Sequence, residues 1–148
     1  MTKREIGENY FKQGYNCSQS VVLTFIDEIG LDKEKALMIS SSFGGGMGRQ
    51  REVCGAVSGM LIVLGAIKGY YKVDNHTEKA EYYALIQNLC NKFKEINGSI
   101  VCRELLGLST SSNPTPEKRT DAYYKKRPCA SLVGDAVEIL EEYLENNK

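Results

Sequence analysis

Apolar residues recur along this chain at the three- and four-residue spacing of amphipathic helices, and no segment shows the regular alternation of a strand. Over residues 16–29 the apolar positions repeat until Gly30 interrupts them. Over residues 75–96 one apolar stripe runs opposite a polar face. The segment after Pro128 repeats the pattern, and its predicted inward face consists of Val133, Ala136, Val137, Leu140 and Leu144.

Two predicted helices begin at recognisable caps. Asn16 is followed three residues later by Gln19, and Asn75 by Glu78, which is the spacing of a capping box. Further helices are predicted over residues 2–12, 32–43, 53–69, 99–106 and 116–126. With no βαβ rhythm in between, the sequence predicts an all-α fold, a single-domain bundle of about six to eight helices, some short, over residues 1–148.

Composition and charge exclude several classes of partner. Hydrophobic residues make up 42% of the chain, and 19 basic side chains balance 19 acidic ones. A net charge of zero gives no general attraction to nucleic acid or to an anionic membrane. We interpret the basic residues 125–127 as a solvated face. The longest uncharged stretch, residues 53–67, is shorter than the about 20 apolar residues of a membrane span, so we expect no nucleic-acid or membrane partner.

The interpretation of the five cysteines depends on the expected cellular compartment. Residues 1–5 carry charges with no apolar run after them, so we expect no secretory signal and a cytoplasmic protein. Cytoplasmic thiols stay reduced, which argues against a structural disulfide framework and points to catalysis, redox sensing or metal binding. Any single cysteine has a simpler explanation as a small buried hydrophobe.

Several familiar sites are excluded or disfavoured by their motifs. His76 is the only histidine, no Cys-x-x-Cys pair begins a zinc ribbon, and the absence of Cys-x-x-Cys-His excludes covalent haem. The Gly44–Gly48 loop lacks the Gly-Lys-Ser/Thr of a phosphate-binding loop and follows a predicted helix. Arg49 and Arg51 offer charges for a phosphate or carboxylate, but we favour a flexible connection into the next helix and leave anion binding open.

Four cysteines share a position relative to the predicted helices. Cys17, Cys54, Cys102 and Cys129 each lie near a helix N-terminus, where free N–H groups and the helix dipole lower a thiol pKa. Each also starts an apolar stripe and should point inward. If successive helices alternate in direction, all four begin at one end of the bundle, so we expect them to converge. Cys90 lies mid-helix on a core stripe, and we interpret it as a buried hydrophobe.

The same cysteines carry a family resemblance. The segment Cys54-Gly55-Ala56-Val57-Ser58-Gly59 is similar to the C-G-A-x-x-G motif of the C_GCAxxG_C_C family, whose members are described as redox-active. Cys17, Cys102 and Cys129 resemble its other signature cysteines, and the resemblance covers nearly the whole chain. The family also resembles a domain of split-Soret cytochrome c, which implies an all-α fold without, here, the haem. Gly55 and Gly59 are expected to give structural support by letting another helix approach Cys54.

The favoured hypothesis is a redox-active protein, a thiol-dependent oxidoreductase or electron-transfer protein with an unidentified redox partner. In it Cys17, Cys54, Cys102 and Cys129 are catalytic, and Cys17 and Cys54 are the expected reactive thiolates. The alternative is that the four thiolates bind an iron–sulfur cluster or zinc. A second alternative is a helical interaction module with buried, reduced cysteines. Four cysteines allow three pairings, and the sequence does not choose among them or define the substrate or the oligomeric state.

Overall fold

The structure, a computed structural model, describes residues 1–148 and contains helices and no sheet. Of the chain 68% is helical, which confirms the predicted all-α fold. The right-handed helices are α1 (Lys3–Lys12), α2 (Cys17–Thr24), α3 (Ile26–Ile29), α4 (Lys33–Ser41), α5 (Gly55–Lys68), α6 (His76–Asn97), α7 (Cys102–Leu106), α8 (Asp121–Lys126) and α9 (Cys129–Asn146). Three of them, α3, α7 and α8, are short, as expected. No helix combines the length and the hydropathy that crossing a bilayer requires.

Local side-chain chemistry sets several helix boundaries. The Asn16 side chain accepts from the Gln19 backbone N–H and the Gln19 side chain accepts from the Asn16 N–H, so the first capping box is confirmed. Asn75 caps α6 by accepting from the Glu78 N–H. The prediction of one helix over residues 16–29 is wrong, because Phe25 (φ −109°, ψ 23°) separates α2 from α3.

The core lies between α2, α5 and α9, with α1 packed along α9 and α2 along α5. These helices supply most of the fully buried side chains, including Val21, Val57, Val63, Val137 and Leu140. Because α5 is covered by several helices, its sequence is apolar around most of its circumference. The α6 stripe is less buried than predicted: Leu89 and Phe93 are inaccessible, whereas Ile96 at its end is 60% exposed.

Two glycines bring α2 into backbone contact with α5. A Cβ at Gly59 would lie 2.8 Å from the carbonyl oxygen of Ser18 and 3.0 Å from the Val21 Cβ. A Cβ at Gly55 would lie 3.1 Å from the Cys17 Cβ and 2.8 Å from the Phe43 carbonyl oxygen. The close approach therefore depends on glycine at both positions, and it sets the Cys17 side chain against the first turn of α5.

Replacing Gly59 with alanine is expected to lower the free energy of unfolding by about 2 kcal/mol, since the cost of overpacking against a backbone exceeds the gain in helix propensity. Gly65, six residues further along α5, is the matched control, because its Cβ would meet only the Tyr82 hydroxyl at 3.5 Å. Gly65→Ala should stabilise the protein by about 0.5–1 kcal/mol. Urea unfolding of both variants measures the two values, and equal effects would contradict a tight contact between α2 and α5.

Candidate functional site

The four signature cysteines all occupy helix starts, as the sequence predicts. Cys17, Cys102 and Cys129 are the first residues of α2, α7 and α9, and Cys54 is the N-cap of α5. All four are free thiols and line one cavity of about 300 Å³. Cys54, Cys102 and Cys129 are buried, and Cys17 is half-buried.

The fifth thiol stands apart from this group. Cys90 lies in the middle of α6, is half-buried against the core and does not line the cavity. Burial raises its pKa. This placement agrees with its interpretation as a core side chain.

An isolated antiparallel bridge joins the segments that carry Cys54 and Cys102. Val53 pairs with Val101, the Cys54 N–H donates to the Ile100 carbonyl at 2.8 Å, and the Cys102 N–H donates to the Glu52 carbonyl at 2.5 Å. These bonds fix the starts of α5 and α7 side by side, although the two cysteines are far apart in sequence. A bridge of one residue pair leaves no alternating pattern, so the sequence did not predict it.

The Gly44–Gly48 loop forms a wall of the cavity. From Gly45 through Arg49 five successive residues have φ between 64° and 69°, which is a left-handed turn, closed by a 2.9 Å hydrogen bond from the Gly48 N–H to the Gly44 carbonyl. A Cβ at Gly46 would lie 2.7 Å from the Cys102 Cβ. The loop thus has a defined conformation pressed against the cysteines, and its role extends beyond the connection between helices that we favoured from the sequence.

Arg51 is the most buried charged group of the site. Only 5% of it is exposed, and its backbone also has a positive φ of 62°. Its Nε donates to the Ser112 Oγ at 2.9 Å, and its Nη1 donates to the Cys102 Sγ at 3.7 Å. A non-glycine residue held in the left-handed region is strained, and such strain concentrates at functional sites.

Two further arginines line the cavity, Arg49 from the same connection as Arg51 and Arg119 from a distant segment. The Arg49 Nε donates to the Asn113 carbonyl at 2.8 Å. Arg119 donates to the carbonyl oxygens of Phe11 and Tyr15, and its guanidinium lies 4.1 Å from the centre of the Phe11 ring. The cavity therefore collects positive charge from segments that are remote in sequence.

The basic residues 125–127 were predicted to form a solvated face, and this is wrong for Arg127. Lys125 and Lys126 are exposed, whereas the Arg127 side chain is only 11% exposed and forms an ion pair with Glu117. Because Arg127 precedes Pro128 and the start of α9, its charge acts on Cys129. Glu117 itself lines the cavity, and Arg127 lowers its pKa despite the opposing effect of burial.

Cys17 and Cys129 form an asymmetric thiol pair. The neighbouring Cys17 thiol is the main cause that lowers the pKa of Cys129, and the charges of Arg127, Arg51 and Arg119 lower it further against the effect of burial. The neighbouring Cys129, together with burial, raises the pKa of Cys17 well above its ordinary value. The pair therefore holds its first negative charge on Cys129.

The other two cavity thiols are held in the protonated form. Burial raises the pKa of Cys54 to about 12, although the backbone N–H groups of Ala56 and Val57 oppose the shift. Burial also raises the pKa of Cys102, with Arg51 acting in the opposite direction. The prediction that Cys17 or Cys54 has the lowered pKa is wrong, because the neighbouring Cys129 and burial raise the pKa of Cys17, burial raises that of Cys54, and the arginines act on Cys129 instead.

The four thiols do not form a compact set of metal ligands. No three His, Cys, Asp or Glu side chains lie close enough together to hold a metal ion. A cluster or zinc ion bound by cysteine needs three or four thiolates at one centre. The arrangement instead gives one pair of neighbouring thiols, Cys17 and Cys129, and two further thiols, Cys54 and Cys102, on the two sides of the Val53–Val101 bridge.

Several residues of the site could not be predicted from the sequence. Glu117 and Arg119 reach the cavity only through the folding of the segment between α7 and α9, and no sequence motif marks them or the Arg127 that pairs with Glu117. The left-handed turn did leave a signal, because four glycines in five residues indicate a backbone with positive φ. That signal, followed by Arg49 and Arg51, was the available indication of a shaped loop with charge beside it.

Comparison with protein families supports the resemblance. A family model described as "Putative redox-active protein (C_GCAxxG_C_C)" matches residues 15–143 and so includes all four cavity cysteines. The family name writes Gly before Cys in its central motif, whereas this chain has Cys54 before Gly55, which makes the cysteine the N-cap of α5. Searches of curated proteins and of solved structures gave no significant match.

Proposed function

The chain belongs to the C_GCAxxG_C_C family of proteins described as redox-active, and we propose that Cys17 and Cys129 are its reversible dithiol–disulfide couple. The observation that carries this proposal is that both thiols line one cavity, in which the neighbouring Cys17 thiol is the main cause of a lowered pKa at Cys129 and the pKa of Cys17 is raised. The thiolate is the nucleophile in thiol–disulfide exchange. Cys129 is therefore the attacking residue and Cys17 the resolving one.

The proposed reaction is an exchange with a substrate disulfide. The Cys129 thiolate attacks one sulfur of the substrate, the substrate S–S bond breaks, and one half leaves as a thiolate that takes up a proton. Cys17 then gives up its proton to solvent and attacks the Cys129 sulfur, so that the Cys17–Cys129 disulfide forms and the second half leaves as a thiolate that is then protonated. Two electrons pass from the protein to the substrate, which ends as two thiols.

Cys54 and Cys102 are the second pair of this proposal. Their raised pKa values keep them as thiols while Cys129 reacts, and both line the same cavity. By exchange they reduce the first pair: one attacks the Cys17–Cys129 disulfide, and the other resolves the mixed disulfide to leave a Cys54–Cys102 bond. In the cytoplasm, the compartment we propose from the sequence, both pairs rest reduced.

The proposal is tested by mapping the bond that forms first. Reduced protein is exposed to a limiting amount of oxidised glutathione, free thiols are blocked, and peptides are identified by mass spectrometry without reduction. We expect the first intramolecular bond to join Cys17 and Cys129, since exchange starts from the most thiolate-like sulfur. The Cys90→Ser variant is the matched control and should give the same bond.

Two outcomes contradict the couple. A first bond that includes Cys90, or a protein that forms no intramolecular bond at all, rejects it. Metal analysis of the protein purified without chelator tests the alternative of a bound metal. If the parent contains about one zinc ion or an iron–sulfur chromophore, and both Cys17→Ser and Cys102→Ser lose it, the cysteines form a ligand site and not a redox couple.

A further inference from the structure

The cavity carries more positive charge than its own acidic groups neutralise, even when Cys129 is a thiolate. Its charged lining consists of Arg49, Arg51 and Arg119 against one acidic side chain, Glu117, which is already paired with Arg127. None of the three lining arginines forms an ion pair anywhere in the structure. Their hydrogen bonds go to a hydroxyl, a thiol and backbone carbonyls.

Arg51 is the most buried of these arginines and has no charged partner. A buried charge without a charged partner is costly, and buried arginines are ordinarily paired with carboxylates. Arg51 is 95% buried (5% exposed), it lines the cavity, and its guanidinium makes only two hydrogen bonds, to Ser112 and Cys102. Five N–H donors in a planar fork suit an oxyanion, and three of those donors remain without a protein partner.

The glycine loop brings the backbone close to this guanidinium. A Cβ on Gly45 would lie 3.7 Å from the Arg51 Nη1 and 2.9 Å from the Arg49 Cγ, and a Cβ on Gly46 would lie 2.8 Å from the Arg51 Cα. Side chains at these positions would crowd the two arginines. The Arg51 and Glu52 N–H groups donate to the carbonyls of Gly45 and Gly46 at 3.1 and 3.0 Å. Together with the left-handed turn, these bonds fix the position of the Arg51 backbone beside the loop.

We infer that Arg51, with Arg49 and the Gly44–Gly48 loop, forms a binding subsite for a small oxyanionic group, a carboxylate or phosphate, carried by the substrate of the thiol pair. The inference rests on the proposed function in so far as the other end of that substrate is the disulfide that Cys129 attacks. A cavity of about 300 Å³ is at the lower end of ligand-pocket volumes, so the substrate is a small molecule and not a folded protein.

The arginines near the subsite also act on the cavity thiols. Arg51 contacts the Cys102 thiol and, with Arg119, acts on Cys129, so a bound anion sits within the same cluster of charges that favours the thiolate. The exchange itself is unchanged: the substrate S–S bond breaks, two electrons leave the Cys17–Cys129 pair, and each half of the substrate leaves as a thiolate that is protonated. The oxyanion is bound and is not consumed.

The test compares two aromatic disulfide reagents of similar size, the dianionic dithiobis(nitrobenzoate) and the neutral dithiodipyridine. Rate constants for both are measured on reduced parent protein and on Arg51→Gln. Loss of Arg51 alters the Cys129 thiolate for both reagents equally, so the ratio of the anionic to the neutral rate isolates recognition of the carboxylate. We expect that ratio to fall about tenfold in Arg51→Gln.

Two further variants make the result interpretable. Lys92→Gln removes an exposed positive charge from α6 outside the cavity lining and should leave the ratio within about twofold, because distant surface charges are screened. Arg49→Gln, at a half-buried position, replaces Arg51→Gln if the latter does not fold, and should lower the ratio in the same direction. An unchanged ratio in whichever variant folds, or an equal fall in Lys92→Gln, overturns the subsite.

A binding measurement separates this inference from the proposed function. Thermal unfolding of reduced protein is followed with inorganic phosphate or acetate against chloride at equal ionic strength, which requires no thiol reaction. A rise in Tm with either oxyanion that is lost in Arg51→Gln supports the subsite even if neither disulfide reagent reacts at Cys129, and the larger rise identifies the preferred group. Equal Tm values in phosphate, acetate and chloride overturn it even if the thiol couple is real.

Discussion

Replacing Cys129 with serine is expected to slow alkylation of the reduced, folded protein at pH 7 about a hundredfold, since alkylation follows the thiolate fraction and each pKa unit changes that fraction about tenfold. Cys129 has a lowered pKa, whereas Cys17, Cys54, Cys90 and Cys102 all have raised ones. Removing Cys129 leaves only thiols that are protonated at this pH. Iodoacetamide reaction followed by mass spectrometry measures the rate and identifies the modified residue.

The pH dependence of the alkylation rate provides a second test of the Cys129 thiolate. A lowered pKa means that the fast alkylation phase of the parent should have its midpoint at a lower pH than that of an unperturbed cysteine thiol. Cys17→Ser exchanges a thiol donor for a hydroxyl at the residue that is the main cause of the shift, so the midpoint should move without abolishing the phase. Cys90→Ser should change neither rate nor midpoint, and a fast phase that survives in Cys129→Ser would assign the thiolate elsewhere.

Replacing Gly46 with alanine is expected to lower the free energy of unfolding by about 3 kcal/mol, as the sum of left-handed strain and overpacking. Gly46 has a φ of 68°, and an added Cβ would lie 2.7 Å from the Cys102 Cβ, 2.7 Å from the Glu52 nitrogen and 2.8 Å from the Arg51 Cα. The neighbours are backbone atoms and a Cβ, which cannot rotate away. Urea unfolding measures the change, and the reactivity of Cys129 reports whether the cavity wall has moved.

Gly48 provides the matched control within the same turn. Its φ is 64°, close to that of Gly46, but an added Cβ would meet nothing within 4 Å. Gly48→Ala should therefore cost about 1 kcal/mol from the left-handed conformation alone. The difference between the two variants isolates the crowding at Cys102. If both cost the same, the loop is not pressed against the start of α7 as the structure shows.

The sequence predicted the helices well because helix formation depends on local sequence patterns. The repeat of apolar residues, the Asn16 and Asn75 caps and the stop at Gly30 each act within a few residues, and all three appear in the structure. The failures arose where tertiary packing decides the outcome. A break at Phe25 and an exposed Ile96 depend on which neighbouring helix covers each position, and the repeat alone does not contain that information.

For the site, the sequence determined which cysteines occupy helix starts, and the tertiary structure decided what those positions do to their chemistry. Helix starts are local, so Cys17, Cys54, Cys102 and Cys129 could be placed from caps, stripes and the family motif. A thiol pKa instead depends on burial and on charges that arrive from remote segments. Arg127 is close to Cys129 in the sequence, but Arg51 and Arg119 reach Cys129 only through the fold, which is why Cys129, and not Cys17 or Cys54, carries the lowered pKa.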